Sequence, residues 1–399
     1  MSTFRDFPTL LWQTAFEKNK QRLQRFFDEV GSETASIVGV DPADETQLVY
    51  YDYASIGTNM RLAAERRGSG KTVMAELMAA LGVLQDWPVA VHAPTNEYES
   101  QLQPQSDRDA VQALDAVGFL PMTLPIETYH VTEPEKNGFS LPDPFSLDFS
   151  LQEREDMVSS ILDVKSDAQE LAVARSLINN PVNLEAFSQA YNLYKDEAGE
   201  NRESVGQIQK MIDDLGRRNA FSGVKVDFKQ RLLDGKVLNF VGKMSGRSGV
   251  LSQFVSMYFS LAISKWRREQ SIPKTLTIRE EAGMFLKTKQ GQEVVSEEIT
   301  QDRKTGKNML YIVQDLSMLT KGEVLYEALQ SSAITIAAGM PGQQLETIFE
   351  ARGIWDGDQD KILNMPRGGK PPLHALIDPD GEVTIYKPLP CMGSLKKVI

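Results

Sequence analysis

The chain is poor in the residues that build covalent and metal centres. Of its 399 residues one is a cysteine, Cys391, and three are histidines, His92, His130 and His374. A single thiol excludes disulfides, thiolate-rich zinc sites and iron–sulfur clusters within one chain, and it suits a reducing compartment. The histidines are too scattered for a spaced ligand motif, so each reads as a core or surface residue. No apolar run approaches the ~18 to 20 residues that a membrane span needs. The N-terminus, Met-Ser-Thr-Phe-Arg-Asp-Phe-Pro, lacks the apolar stretch of a signal peptide. Together these absences predict a cytoplasmic protein, or a virus-encoded one acting in the host cytoplasm. Positive charge is also in deficit, with 43 Lys and Arg against 55 Asp and Glu and a net charge of −12. That excludes a generally basic nucleic-acid coat but leaves room for a local basic channel.

What is present is ordinary for a globular protein: 41% hydrophobic and 25% charged residues. The length allows one large α/β domain with a sizeable insertion, or two domains. Behind Pro8, apolar residues from Leu11 to Val30 recur at helical spacing and predict an amphipathic helix over 8–30 that packs on the core. Short strands are expected at Ala35–Val40, Gln47–Tyr53 and 60–65. A buried parallel strand is expected at 88–93, ending in the polar loop 94–99. Residues 130–148 read as a loop, and 151–219 as helices inserted into the α/β domain, with a solvated charged face. Sheet patterning resumes at 236–241, followed by an apolar helix over 254–266. Further strands are expected at Thr275–Arg279, Asn308–Val313 and Ala333–Ala338, and a hairpin around Asp378-Pro379-Asp380-Gly381. Alternating strands and helices of these lengths predict a doubly wound, mostly parallel sheet. The expected organisation is an N-terminal helix and short strands over 1–59, a first part of the core over 60–129, the loop and helical insertion over 130–220, and a second part of the core with the hairpin over 221–399.

The most informative motif is Gly68-Ser69-Gly70-Lys71-Thr72, which runs directly into the apolar-periodic stretch 73–81. Its glycines let the backbone curl so that consecutive N–H groups point at a phosphate. The lysine reaches the outer phosphates, the threonine hydroxyl can hold magnesium, and the following helix adds its positive end. The full pattern G-x-x-x-x-G-K-[ST] asks for glycine at position 65, where this chain has Glu65. Two further strand ends add to this reading. Thr275–Arg279 runs into Glu280-Glu281, and a pair of carboxyl groups there is costly unless it serves a metal or a reaction. In P-loop ATPases one such carboxylate serves magnesium and a second orients or deprotonates the attacking water. The strand ending at Val313 is followed by Gln314, an amide placed to sense a γ-phosphate.

In their order these segments resemble the HerA/FtsK superfamily of DNA-pumping ATPases, nearest the HerA-like branch with its conjugation and viral packaging motors. The resemblance runs from about residue 60 to 345: the Gly-Lys-Thr loop, Ala93-Pro94-Thr95-Asn96-Glu97-Tyr98, Gly235-Lys236-Val237-Leu238, Glu280-Glu281-Ala282-Gly283-Met284-Phe285, Asp302-Arg303-Lys304-Thr305-Gly306, and Gln314. It implies a RecA-like P-loop core that uses ATP and Mg2+. Gly68, Ser69, Gly70 and Lys71 would hold phosphates, and Thr72 and Glu280 the metal. Glu281 would be the catalytic carboxylate and Gln314 the sensor. Arg303, ahead of Arg367, would be the cation offered to a neighbouring subunit. The resemblance also implies a homo-oligomer, a hexameric ring, with double-stranded DNA tracked by the basic segments 243–247 and 287–290, and a nuclease or a loading or portal protein as partner. Three departures from the family pattern cluster on this site: Glu65 for glycine, Glu280 for aspartate and Ala93 for aspartate. They favour, as the alternative, an ATP-binding assembly or regulatory protein with little turnover. A related protein-secretion ATPase shares the same core.

Overall fold

The computed structural model describes residues 6–52, 60–64, 70–131, 139–140, 224–242, 246–272, 274–286, 289–300, 306–313, 330–366 and 372–394. The chain opens with helix α1 (Asp6–Val30), strands β1 (Ala35–Val40), β2 (Leu48–Asp52) and β3 (Met60–Ala64), helix α2 (Lys71–Leu84) and strand β4 (Val89–Ala93). A 3-10 turn (Tyr98–Leu102), helix α3 (Arg108–Ala116), strand β5 (Ile126–His130) and the two-residue strands β6 (Phe139–Ser140) and β7 (Val224–Lys225) follow. Then come α4 (Phe228–Leu233), β8 (Val237–Val241), α5 (Gly246–Arg268), β9 (Thr275–Arg279), the one-turn α6 (Ala282–Phe285) and α7 (Lys289–Thr300). The last described elements are β10 (Lys307–Val313), β11 (Ala333–Ala337), α8 (Gly342–Arg352), α9 (Asp356–Leu363), β12 (His374–Ile377) and β13 (Val383–Pro388).

One 11-stranded sheet organises the molecule, in the order β2-β1-β13-β12-β11-β3-β10-β9-β4-β8-β5. From β5 to β11 every neighbouring pair is parallel, and from β11 to β2 every pair is antiparallel. The α/β class and the mostly parallel sheet therefore agree with the sequence. Central strands such as Leu-Thr-Ile and Met-Leu-Tyr-Ile-Val are buried on both faces, which explains their nearly unbroken apolar character. The N-terminal strands and the C-terminal hairpin, which turns at 378–381, are built into the same sheet.

Two apolar layers cover the sheet. One face carries α2 and α1, with Leu23, Phe26 and Phe27 of α1 buried beside Met74, Leu77 and Leu81. The core packing expected of the first helix holds for these residues. The other face carries α5, α7, α8 and α9, packed on Phe240, Met309, Tyr311, Ile334 and Ile336. α5 starts at Gly246 and not near Phe254. Its first turn, Gly-Arg-Ser-Gly, carries no apolar side chain, so hydrophobic periodicity starts late. Gly246 and Arg247 open this helix, and Lys289 and Gln290 open α7, so these four residues belong to helices and not to loops. The inserted helices expected over 151–219 lie outside the described residues.

Candidate functional site

The direction of α2 decides where the phosphate motif sits. At Gly82, near the end of the helix, an added Cβ would stand 3.1 Å from Val89 and 3.3 Å from Leu276. Those residues lie at the amino ends of β4 and β9, so α2 rests close against them there. Twelve residues earlier, about 18 Å along the helix axis, Gly70 reaches the carboxyl edge of the parallel strands. That edge is where open α/β sheets place ligands. β3 leads to this edge from between β10 and β11, as a strand feeding a phosphate loop must.

Gly70 caps α2 with φ +95°, a left-handed conformation that suits glycine, and its carbonyl accepts from Met74 N–H at 3.0 Å. The N–H groups of the first turn have no intrahelical acceptor, and glycine offers no side chain to cap them. Donors without an intrahelical acceptor at the positive end of a helix can cradle an anion. Lys71 is the first residue of the helix, and Thr72, half-buried, is the second. Gly68, Ser69 and Glu65 lie outside the described residues, as do Gln314, Arg303 and Arg367.

Glu280 follows the last residue of β9 and is buried. Its N–H donates to the His92 carbonyl at 2.9 Å, tying the turn to β4, and its Oε1 accepts from the buried Tyr98 hydroxyl at 3.2 Å. Burial, with Glu280 and Glu76 nearby, holds the Tyr98 phenol well above its ordinary pKa, so Tyr98 is a donor at all working pH values. Glu281 is half-buried and left-handed, with φ +51°. A non-glycine residue in that region is strained, and such strain concentrates at functional turns. The structure thus brings the Gly70–Thr72 cradle and the Glu280–Glu281 turn to one edge, with α2 packed on β9.

Three features of this edge were not read from the sequence. Glu76 lies one helical turn after Thr72, and its Oε2 has no hydrogen-bond partner among the described residues. Burial, opposed by hydrogen bonds from Cys391 and Gln101 and reinforced by Glu280 and Glu97, pushes its pKa up to about 8. A helical period of 3.6 places Glu76 on the face of Thr72, a signal that was available. The second feature is the segment 391–394, which lies beneath the site. Gln101 Nε2 donates to the Ser394 carbonyl at 3.0 Å, and Gly393 N–H to Gln101 Oε1 at 3.1 Å. Cys391, read from sequence only as a count, is buried there as a free thiol. Nothing local in the sequence announces this contact across almost 300 positions.

The third feature lies on the opposite face of β9. Glu298 of α7 is fully buried and accepts from Lys307 Nζ at 2.7 Å, from Arg279 Nη1 at 3.2 Å and from the Tyr311 hydroxyl. Burial raises its pKa, but Arg279 and Lys307 outweigh that and hold it below the ordinary carboxylate range. Arg279 also donates to Ser256 Oγ at 2.8 Å and to Ser260. Beside it, burial and the Arg279 charge hold His92 well below its ordinary pKa, leaving a neutral ring stacked on Phe240 at 5.2 Å. His92 and His374 are therefore core residues, as expected.

No family model and no curated protein matches the chain by sequence. Solved structures do match. VirB4 of Thermoanaerobacter pseudethanolicus aligns with a TM-score of 0.63 at 14% identity, covering 90% of this chain and 96% of VirB4. The unbound bacterial conjugative coupling protein TrwB aligns at 0.58 and 11% identity, covering 92% and 93% of the two chains. TrwB in complex with ADP and Mg2+ aligns at 0.55 and 11% identity, covering 90% and 94%. The expected RecA-like α/β core is thus borne out, and this chain shares the fold of VirB4 and TrwB.

Proposed function

We propose that this protein is an ATP-hydrolysing motor that assembles as a homo-oligomeric ring and translocates double-stranded DNA. The observation that carries the reading is the pairing of an uncapped, left-handed Gly70 at the start of α2 with the acidic turn Glu280–Glu281 on the same sheet edge. The cradle fits a polyphosphate, because its donors are backbone N–H groups aimed from a helix N-terminus. The metal donors, a threonine hydroxyl and carboxylate oxygens, fit a hard divalent cation such as Mg2+. TrwB, similar in fold, has been solved with ADP and Mg2+ and with non-hydrolysable analogues of ATP and GTP.

In this mechanism the α2 N-terminus binds and orients the ATP phosphates, with Lys71 at the outer ones and Gly68 and Ser69 completing the loop. Thr72 and Glu280 would hold Mg2+, which when bound would neutralise charge on the phosphates. Glu281 orients and deprotonates the attacking water, and Gln314 reports on the γ-phosphate. Tyr98 keeps Glu280 in place by its hydroxyl. Arg303 from a neighbouring subunit stabilises charge developing in transfer, a contribution of about 10³- to 10⁵-fold in rate in related enzymes.

Translocation is tested by displacement of a triplex-forming oligonucleotide from linear duplex DNA. ATP-dependent displacement, lost with a non-hydrolysable analogue, supports the motor. Tight ATP binding with no displacement and no turnover favours the assembly or regulatory alternative, to which the Glu65 and Glu280 departures point.

A further inference from the structure

We propose that Arg279 and Phe285 are positioning residues that clamp the acidic turn from its two ends, so that Glu280 and Glu281 are presented in one geometry. This rests on the reading of that turn as the metal-holding and catalytic segment. Arg279 immediately precedes Glu280, and Phe285 ends the one-turn helix that follows Glu281. The guanidinium carbon lies 4.9 Å from the centre of the Phe285 ring, and 5.1 Å from that of Tyr311 on the neighbouring strand. Both side chains are 1% exposed, so the cation–π contact is made out of water, where it is strongest.

The turn between these anchors holds the left-handed Glu281, at φ +51°. Strain of that kind persists only where the surroundings over-determine the backbone. Arg279 is itself fixed from three sides: Glu298 accepts from Nη1 at 3.2 Å, Ser256 from Nε at 2.8 Å, and Ser260 from Nη2. A planar fork with these partners cannot rotate without losing a buried charge-assisted bond. The carboxylate of Glu298 is shared with Lys307 at 2.7 Å, which anchors it to β10. α7 and β10 therefore hold Arg279, Arg279 holds Phe285, and the segment between these two carries the acidic pair. Lysine cannot replace the arginine here, having one point of charge and no flat face for the ring.

The test compares wild type, Arg279→Lys and Phe285→Leu by kcat and KM for ATP hydrolysis, by the Mg2+ concentration at half-maximal binding of a fluorescent ATP analogue, and by Tm. Misplacing the turn should lower kcat by about 10- to 100-fold and raise the Mg2+ midpoint several-fold, with KM changed by less than about threefold. Phe285→Leu, the milder change, should keep its Tm within a few degrees of wild type. The double variant should be little worse than Arg279→Lys alone, because the two residues share one contact. Unchanged kcat and Mg2+ midpoint in both variants overturn the inference. So does a uniform loss of Tm and nucleotide affinity, which marks a purely structural role. If wild type binds Mg2+-nucleotide without hydrolysis, the motor reading fails and the Mg2+ midpoint alone decides this one. A wild type that binds no nucleotide overturns both.

Discussion

Two buried glutamates, Glu76 and Glu298, carry opposite electrostatic signatures and make separate predictions. Glu76 has a pKa of about 8 against an ordinary 4.5, because burial penalises its charged form. The unfolded chain therefore releases this proton first as pH rises. Its burial costs nothing below the unfolded value, costs increasingly between the two, and costs its full amount above the folded value. Glu76→Gln should match wild type in urea unfolding near the low end of that window. At the high end it should be more stable by on the order of a few kcal/mol. A stability gap that stays flat with pH contradicts the assignment. Glu298 behaves in the opposite sense, since Arg279 and Lys307 hold its pKa below the ordinary value. Its stabilisation is present above the unfolded pKa and is lost as pH falls through the folded one. Glu298→Ala strands two buried cations and should cost about 3 to 5 kcal/mol at neutral pH, by the same denaturation measurement. At Gly70 nothing among the described residues lies within 4 Å of an added Cβ, and its left-handed backbone opposes a side chain there. Gly70→Ala should cost about 1 to 2 kcal/mol through its φ of +95° and should weaken nucleotide binding measurably in a titration.

At the scale of elements, what the sequence revealed depended on whether the signal was local. β9 matches its expected span Thr275–Arg279, and β3, β4, β8, β10 and β11 fall within one residue of theirs, because short apolar runs bounded by turns leave little choice. The start of α2 was legible because its apolar-periodic stretch begins directly behind the motif, where Gly70 is left-handed. Other elements were hidden for stated reasons. β5, Ile-Glu-Thr-Tyr-His, lies at the edge of the sheet and is only partly buried, so it lacks an apolar run. The start of α5 lacks an apolar stripe. The Tyr98–Glu280 bond joins residues 182 positions apart, and the contact of 391–394 with Gln101 joins residues further apart still. Tertiary contacts of that length have no sequence signature. Tyr98→Phe isolates one of them, removing a single hydroxyl from a buried carboxyl group. It should raise the Mg2+ requirement of nucleotide binding while leaving the Tm close to wild type, and an unchanged Mg2+ requirement would remove Tyr98 from the site.

For the whole molecule, the single 11-stranded sheet joins the N-terminal strands, the parallel core and the C-terminal hairpin, so the candidate site stands on a continuous scaffold. Among the described residues no helix is long and apolar enough to cross a membrane. Ring assembly predicts a defined multimer, six copies in the proposed hexamer, by native mass measurement in the presence of ATP, and a protein that stays monomeric with nucleotide contradicts it. The most direct test of the central claim is the steady-state ATPase rate with and without linear double-stranded DNA, for wild type, Lys71→Ala and Glu281→Gln. The motor account predicts hydrolysis stimulated by DNA in the wild type. It predicts loss of turnover in both variants, with nucleotide binding kept by Glu281→Gln and lost by Lys71→Ala. Nucleotide binding without turnover under every condition, or hydrolysis indifferent to DNA and to both substitutions, would contradict it.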